Sequence, residues 1–265
     1  MKNIFCNIIL FCLFTGHAGY LRAQAGDTLK TVTDSIINLK YFPRTDKILR
    51  TAVPVAMIAF GVLSLESGAL KILDYSTRNE LLEDNLMWGS RWDNYLQFSP
   101  AALAFGMKLG GVKSRHSLKD MAVLYALSTA LETSVVYTAK RLTGRERPDG
   151  SNRSSFPSGH TATAFVAAEF LYQEYRDRSV WISIGGYFIA SLVGTSRVYN
   201  NKHWVSDVVT GAGIGVLSAR LVYRAYPALQ NIIFGKSKKH QAFLFPYHEN
   251  GAWGLNFSCS LSLLE

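Results

Sequence analysis

A chain of 265 residues supports one domain of ordinary size and excludes two large domains joined by linkers. Apolar residues make up 48% of it and charged residues 18%, which is apolar for a soluble protein of this length and ordinary for one embedded in lipid. The net charge of +9 leaves nucleic acid, anionic lipid and a phosphorylated substrate open as partners, and only the placement of the basic residues separates them.

Residues 1–25 read as a secretory signal peptide or an N-terminal anchor. Met1-Lys2-Asn3 leads into an apolar run from Ile4 to Thr15 and then small residues ending in Ala23-Gln24-Ala25, so cleavage would fall before Gly26. Retained, the same run is a membrane anchor. Cys6 and Cys12 lie inside it without the small preceding residue that lipid attachment requires, and cleavage would leave Cys259 as the only thiol. A single thiol forms no internal disulfide, and no Cys/His spacing resembles a zinc site. Residues 26–50 form a linker.

Residues 51–225 form the main domain, built from six apolar blocks at roughly 51–65, 95–111, 120–139, 159–174, 179–196 and 205–224. Each is near the ~17 to 25 residues that cross a bilayer as a helix. Small residues recur within them, as in Gly185-Gly186, Ser191 and the run Gly211-Ala212-Gly213-Ile214-Gly215, which lets helix backbones approach closely. The expected fold is therefore all-α, a membrane-embedded helical bundle of about five to six spans. A soluble all-helical bundle with thoroughly apolar core helices is the alternative.

Charge placement favours the membrane. Lys40, Arg44, Lys47 and Arg50 precede the first block, and Lys108, Lys113, Arg115 and Lys119 follow the second. Arg220, Arg224, Lys236, Lys238 and Lys239 follow the sixth, whereas the joint after the first carries Glu66, Asp74, Glu80, Glu83, Asp84 and Asp93. By the positive-inside rule both flanks are cytoplasmic and the joints 66–94, 140–158 and 197–204 lie outside. A cleaved signal peptide would invert this order. The conflict resolves if block 51–65 lies on the surface or re-enters, leaving five spans, or if the N-terminal run is itself a span. Basic residues gathered at membrane joints, without an extended face or stacking aromatics, disfavour nucleic acid.

Three polar clusters sit at block ends on joints that the charge rule places on one side. The first is Lys140-Arg141-Leu142-Thr143-Gly144-Arg145-Glu146-Arg147-Pro148, followed by Arg153; such cation density beside a span fits a bound anion or a wet loop. The second, Ser155-Phe156-Pro157-Ser158-Gly159-His160-Thr161, opens straight into the fourth block. Pro157 suits a helix start, and Ser158, Gly159 and His160 would offer backbone N–H groups at the positive end of the helix dipole. A plain cap explains Ser and Pro equally well, though not the His.

The third cluster is Ser196-Arg197-Val198-Tyr199-Asn200-Asn201-Lys202-His203-Trp204-Val205-Ser206-Asp207. His203 and Asp207 are four apart, so on a helix they share a face and the carboxylate can receive one imidazole N–H. That bond would fix the tautomer and leave the other ring nitrogen as a nucleophile, while an isolated His/Asp pair is as readily a structural contact. In the basic tail, 226–265, apolar residues alternate with period two on either side of Asn250-Gly251, which fits a short β-hairpin.

Together, Lys140 with Arg147-Pro148 after a gap of six, then Pro157-Ser158-Gly159-His160, then Ser196-Arg197 with His203 and Asp207 after gaps of five and three, resemble the three-part signature of the type 2 phosphatidic acid phosphatase family. The resemblance covers roughly residues 95–224. It implies that His203 attacks phosphorus to form a phosphohistidine, with Asp207 orienting it and His160 acting as general acid and then base. It further implies that Lys140, Arg147, Arg197, Ser158 and the backbone N–H of Gly159 hold the phosphoryl oxygens, with no metal and no cofactor. The family includes soluble acid phosphatases and haloperoxidases as well as membrane enzymes. The apolar blocks therefore carry the expectation of a lipid-phosphate substrate in a bacterial inner membrane, with the site facing the periplasm. A periplasmic acid phosphatase on soluble phosphoesters and a non-enzymatic phospholipid-binding scaffold are the alternatives.

Overall fold

The computed structural model describes residues 45–84, 89, 91–233, 242–249 and 252–259, with side chains over 50–84, 89 and 91–230. The expected signal peptide and most of the linker lie outside the described residues. Among the described residues eight helices run in chain order: α1 Thr45–Ser64, α2 Gly68–Glu83, α3 Asp93–Leu96, α4 Ser99–Leu109, α5 Leu118–Thr143, α6 Gly159–Tyr175, α7 Val180–Tyr199 and α8 Val205–Ile233. Two strands, β1 Ala242–Glu249 and β2 Ala252–Cys259, pair antiparallel with Ala242 opposite Cys259 and Glu249 opposite Ala252. They belong to a separate compact unit that begins at Tyr223.

Helix α6 forms the centre. Ala162, Ala164, Phe165, Val166, Ala167, Ala168, Phe170 and Leu171 are all buried, so it is covered around its whole circumference rather than along one stripe. It packs against α4, α5 and α7. On a further side α8 comes close enough that a Cβ on Gly211 would sit 2.5 Å from the Ser158 carbonyl oxygen, and one on Gly215 would sit 2.3 Å from that of Ala162. The glycine run is thus an interhelical seam, and it sets how far the N-terminus of α8 lies from that of α6.

Local signals fix the helix ends around this centre. Ser117 Oγ accepts the Asp120 N–H at the start of α5, and Gly144 at φ 52° ends that helix in the left-handed region, where a side chain is disfavoured. Ser179 caps α7 by accepting the Trp181 N–H. In α1, Pro54 has no N–H for the Arg50 carbonyl one turn back. The Arg220 guanidinium donates to that carbonyl instead, while its other nitrogens hold Glu169 at 3.0 and 2.9 Å. Tyr187 donates to the same buried carboxylate, so α6, α7 and α8 are joined at the far end of α6 from residue 159.

The structure departs from the sequence reading in three places. The joint 66–94 holds α2 and the start of α3, which are too polar for an apolar block to mark them. Helix α6 starts at Gly159 with Ser158 as its N-cap, so Pro157 precedes the cap instead of opening the first turn. Among the described residues one helix stretch, Val205–Gln230, is long and apolar enough to cross a bilayer, and Arg50–Ser64 with Gly68–Glu83, bent by 91°, would make a second.

Candidate active site

The three clusters come together where α5 ends and α6 and α8 begin. The loop from Gly144 to Ser158 is tied to α8 along its length. Arg145 Nη1 donates to Asp207 Oδ1 at 2.7 Å, Ser155 Oγ donates to Asp207 Oδ2 at 2.5 Å, and the Ser158 N–H donates to the Asp207 carbonyl at 3.0 Å. From α5, Lys140 Nζ donates to the Ser154 carbonyl at 2.6 Å. These contacts set the first cluster against the third, with the N-terminus of α6 between them.

Three cations line the site. Burial first, then Arg147 and Arg197, hold the Lys140 ammonium down at about 8, against an opposing pull from Asp207. Burial and Arg197 likewise lower the Arg147 guanidinium. Arg197 is buried on α7, where its Nη1 donates to Asp93 Oδ2 at 2.5 Å. The Nε groups of both Arg147 and Arg197 are buried and have no acceptor among the described residues. Two buried guanidinium N–H groups without acceptors are costly, and an incoming oxyanion would satisfy both.

The histidines differ in environment. His160, in the first turn of α6, has its Nε2 2.7 Å from Asn94 Oδ1, so the ring nitrogen donates and the carboxamide oxygen accepts. It lies within electrostatic reach of Arg197, Asp93, Arg147 and Lys140. His203 is buried, and burial pushes its imidazole down to about 4 although Asp207 pulls the other way. It is therefore a neutral imidazole at neutral pH, the form in which a ring nitrogen can act as nucleophile.

The expected cause of the His203/Asp207 pairing is corrected. His203 precedes α8, so the two residues do not share a helix face. The turn places it instead: the Lys202 and His203 N–H groups both donate to the Arg197 carbonyl, at 3.0 and 3.3 Å, beside Asn201 at φ 56°. His203 Nδ1 is 3.6 Å from Asp207 Oδ2, an ion-pair separation beyond hydrogen-bond length. Asp207 Oδ2 instead accepts Ser155 Oγ–H and, at 3.0 Å, the Trp204 N–H. A carboxylate in the first turn reaching back to the residue before the helix is the capping arrangement that starts α8.

Every candidate residue falls in this region. Ser158 is buried, and its hydroxyl is 2.9 Å from that of Thr161. A Cβ on Gly159 would meet only Val136 Cγ1 at 3.8 Å, an ordinary contact, so crowding does not require glycine there. Sequence reasoning missed Asp93, Asn94 and Asp74, which come from the polar helices α3 and α2 and reach Arg197, His160 and Arg145. Their one signal was acidic and amide residues lying between apolar blocks. No group of three or more His, Cys, Asp or Glu side chains that could hold a metal ion occurs among the described residues.

Fold and site together define a helical-bundle protein with Lys140, Arg147 and Arg197 gathered where its helices end and begin. Residues 121–231 match the PAP2 superfamily model. It is 46% identical over 132 residues to a lipid A 1-phosphatase of Porphyromonas gingivalis, covering 49% of this chain and 30% of that protein. A lipid A 1-phosphatase of Helicobacter pylori is 27% identical over 140 residues, covering 49% of this chain and 68% of the relative. The crystal structure of a transmembrane PAP2-type phosphatidylglycerolphosphate phosphatase from Bacillus subtilis aligns at 25% identity and a TM-score of 0.48, over 66% of this chain and 96% of that one. The chain thus spans about a third of the length of the Porphyromonas relative.

Proposed function

We propose that this protein is a membrane phosphatase that removes phosphomonoester or diphosphate groups from lipids through a phosphohistidine at His203. The observation that carries this reading is the pair of buried Arg147 and Arg197 Nε groups without acceptors, set with Lys140 around a neutral His203. Such a cradle is unsatisfied until a phosphoryl group enters it.

In the first step a ring nitrogen of His203 bonds to phosphorus, the bond from phosphorus to the lipid oxygen breaks, and protonated His160 gives that oxygen its proton. In the second, His160 takes a proton from water, the water oxygen bonds to phosphorus, the phosphorus–nitrogen bond breaks and phosphate leaves. Lys140, Arg147, Arg197, Ser158 and the Gly159 N–H hold the phosphoryl oxygens, where charge spreads in the transition state. Asp207 steadies His203 electrostatically across 3.6 Å. Three cations perform the neutralisation that a divalent metal performs elsewhere, so the mechanism runs without metal or cofactor.

The lipid assignment rests on surface and kinship. Trp181, Ile184 and Phe188, spaced three and four residues apart on α7, are 76%, 50% and 62% exposed, an apolar stripe suited to acyl chains. Two relatives are named lipid A 1-phosphatases. A bacterial inner membrane, with the joints 140–158 and 197–204 on the periplasmic side, completes the reading. The test is phosphate release by purified protein in detergent from a panel of phosphatidic acid, phosphatidylglycerol phosphate, undecaprenyl diphosphate and lipid A, with His203→Ala beside it. Release from soluble phosphoesters alone would remove the lipid assignment, and release by His203→Ala would remove the mechanism.

A further inference from the structure

We infer that Arg145 is a positioning residue of this site: anchored by Asp74, it takes one oxygen of Asp207 and so sets how much of that carboxylate's charge His203 feels. The inference rests on the phosphatase reading for its purpose and on the geometry alone for its test.

Arg145 stands in the same basic run as Lys140 and Arg147, yet its nitrogens are committed away from the cradle. Its Nη1 donates to Asp207 Oδ1 at 2.7 Å and to Ser206 Oγ at 2.8 Å, and its Nη2 donates to Asp74 Oδ2 at 2.7 Å. The Trp204 ring covers it, with the guanidinium carbon 5.4 Å from the ring centroid. Asp74 is held in turn by α8, accepting the Ser206 N–H at 2.9 Å and Ser206 Oγ–H at 2.6 Å. One guanidinium is thus shared between two buried carboxylates, and Asp74 comes from α2, outside the residues 121–231 that match the superfamily.

The consequence falls on His203. The charged groups that face it are Asp207 on α8, Lys140 on α5 and Arg197 on α7, one anion against two cations. Asp207 is the anion among them, so whatever draws charge from it is felt directly by the imidazole. Arg145 on Oδ1, with Ser155 Oγ and the Trp204 N–H on Oδ2, leaves His203 Nδ1 at 3.6 Å with a carboxylate already well served by donors. Arg145 therefore favours the uncharged imidazole. Asp74 moderates this by competing for the same guanidinium.

The competing possibility is that Arg145 is only a staple between the loop, α2 and α8. The two roles separate on the sign of an ionisation shift. The experiment is an NMR titration of ring-labelled histidines in full-length detergent-solubilised protein, with the His203 signal identified by its loss in His203→Ala. Without the Arg145 charge, Asp207 presents more negative charge to His203, so Arg145→Gln should raise the His203 pKa by about one unit, a tenfold gain in proton affinity. Asp74→Asn should leave it unchanged or lower it, because Arg145 is then left to Asp207. Arg145→Lys, which keeps the charge without the fork that bridges both carboxylates, should shift it upward by less, and it carries the test if Arg145→Gln does not fold.

An unmoved His203 titration in both Arg145 variants, or upward shifts of equal size in Arg145→Gln and Asp74→Asn, would overturn the inference. Because the titration needs no turnover, an inactive parent protein would count against the phosphatase reading and leave this result standing on its own.

Discussion

At the residue scale, the proposed mechanism gives the two histidines unequal duties. In it His203 bonds to phosphorus whatever the substrate, whereas His160 is needed mainly where the leaving oxygen is a strong base. His203→Ala should therefore lack activity on every substrate, while His160→Ala keeps measurable turnover of p-nitrophenyl phosphate and loses it on alkyl lipid phosphates. Equal losses on both substrates in His160→Ala would remove its acid role. The ionisation of the site has a direction as well. His203 is uncharged above about 4, and Lys140 carries its charge only below about 8. As pH rises through about 8 the cradle loses one of its cations, so kcat/KM should fall through a rise in KM. In Lys140→Met that alkaline limb should disappear and activity should be low throughout. A limb that persists in Lys140→Met belongs to another group.

At the element scale, the distance between α6 and α8 holds the site together. A Cβ at Gly215 would lie 2.3 Å from the Ala162 carbonyl oxygen, a backbone atom that cannot turn aside. Gly215→Ala should accordingly destabilise the protein by about 1 to 3 kcal/mol, the usual cost of overpacking, read as a lower Tm in detergent. Gly185, on α7, has nothing within 4 Å of such a Cβ, so Gly185→Ala should leave Tm unchanged or raise it. At Gly211 the clash is with the Ser158 carbonyl, at 2.5 Å, directly behind the α6 N-terminus. Gly211→Ala should therefore lower kcat as well as Tm, and a variant that loses stability without losing kcat would separate the seam from the site.

At the scale of the whole molecule, lipid and metal are the questions. A bundle with an apolar stripe on α7 should stay in the membrane pellet after alkaline carbonate washing and be released only by detergent. A cradle of Lys140, Arg147 and Arg197 should bind vanadate, whose trigonal-bipyramidal form resembles the transition state, so vanadate should inhibit while EDTA leaves activity intact. Activity lost to EDTA and restored by Mg²⁺ would show that the cations do not suffice.

The sequence by itself determined what is local or periodic. The blocks at 120–139, 159–174, 179–196 and 205–224 lie within or nearly coincide with α5, α6, α7 and α8, because a long apolar run registers in any window. The spacings of Lys140, Arg147, Arg197, His203 and Asp207 carried the family resemblance. Only the tertiary structure decided which polar groups meet. Asn94 reaches His160 across 66 residues, Asp93 reaches Arg197 across 104, and Asp74 reaches Ser206 across 132. These partners come from short or polar helices that carry no apolar signature, and their pairing depends on how those helices pack against α7 and α8. The His203/Asp207 contact shows the same division: four residues of spacing suggested a shared helix face, but a turn closed on the Arg197 carbonyl places the imidazole, because α8 begins only at Val205.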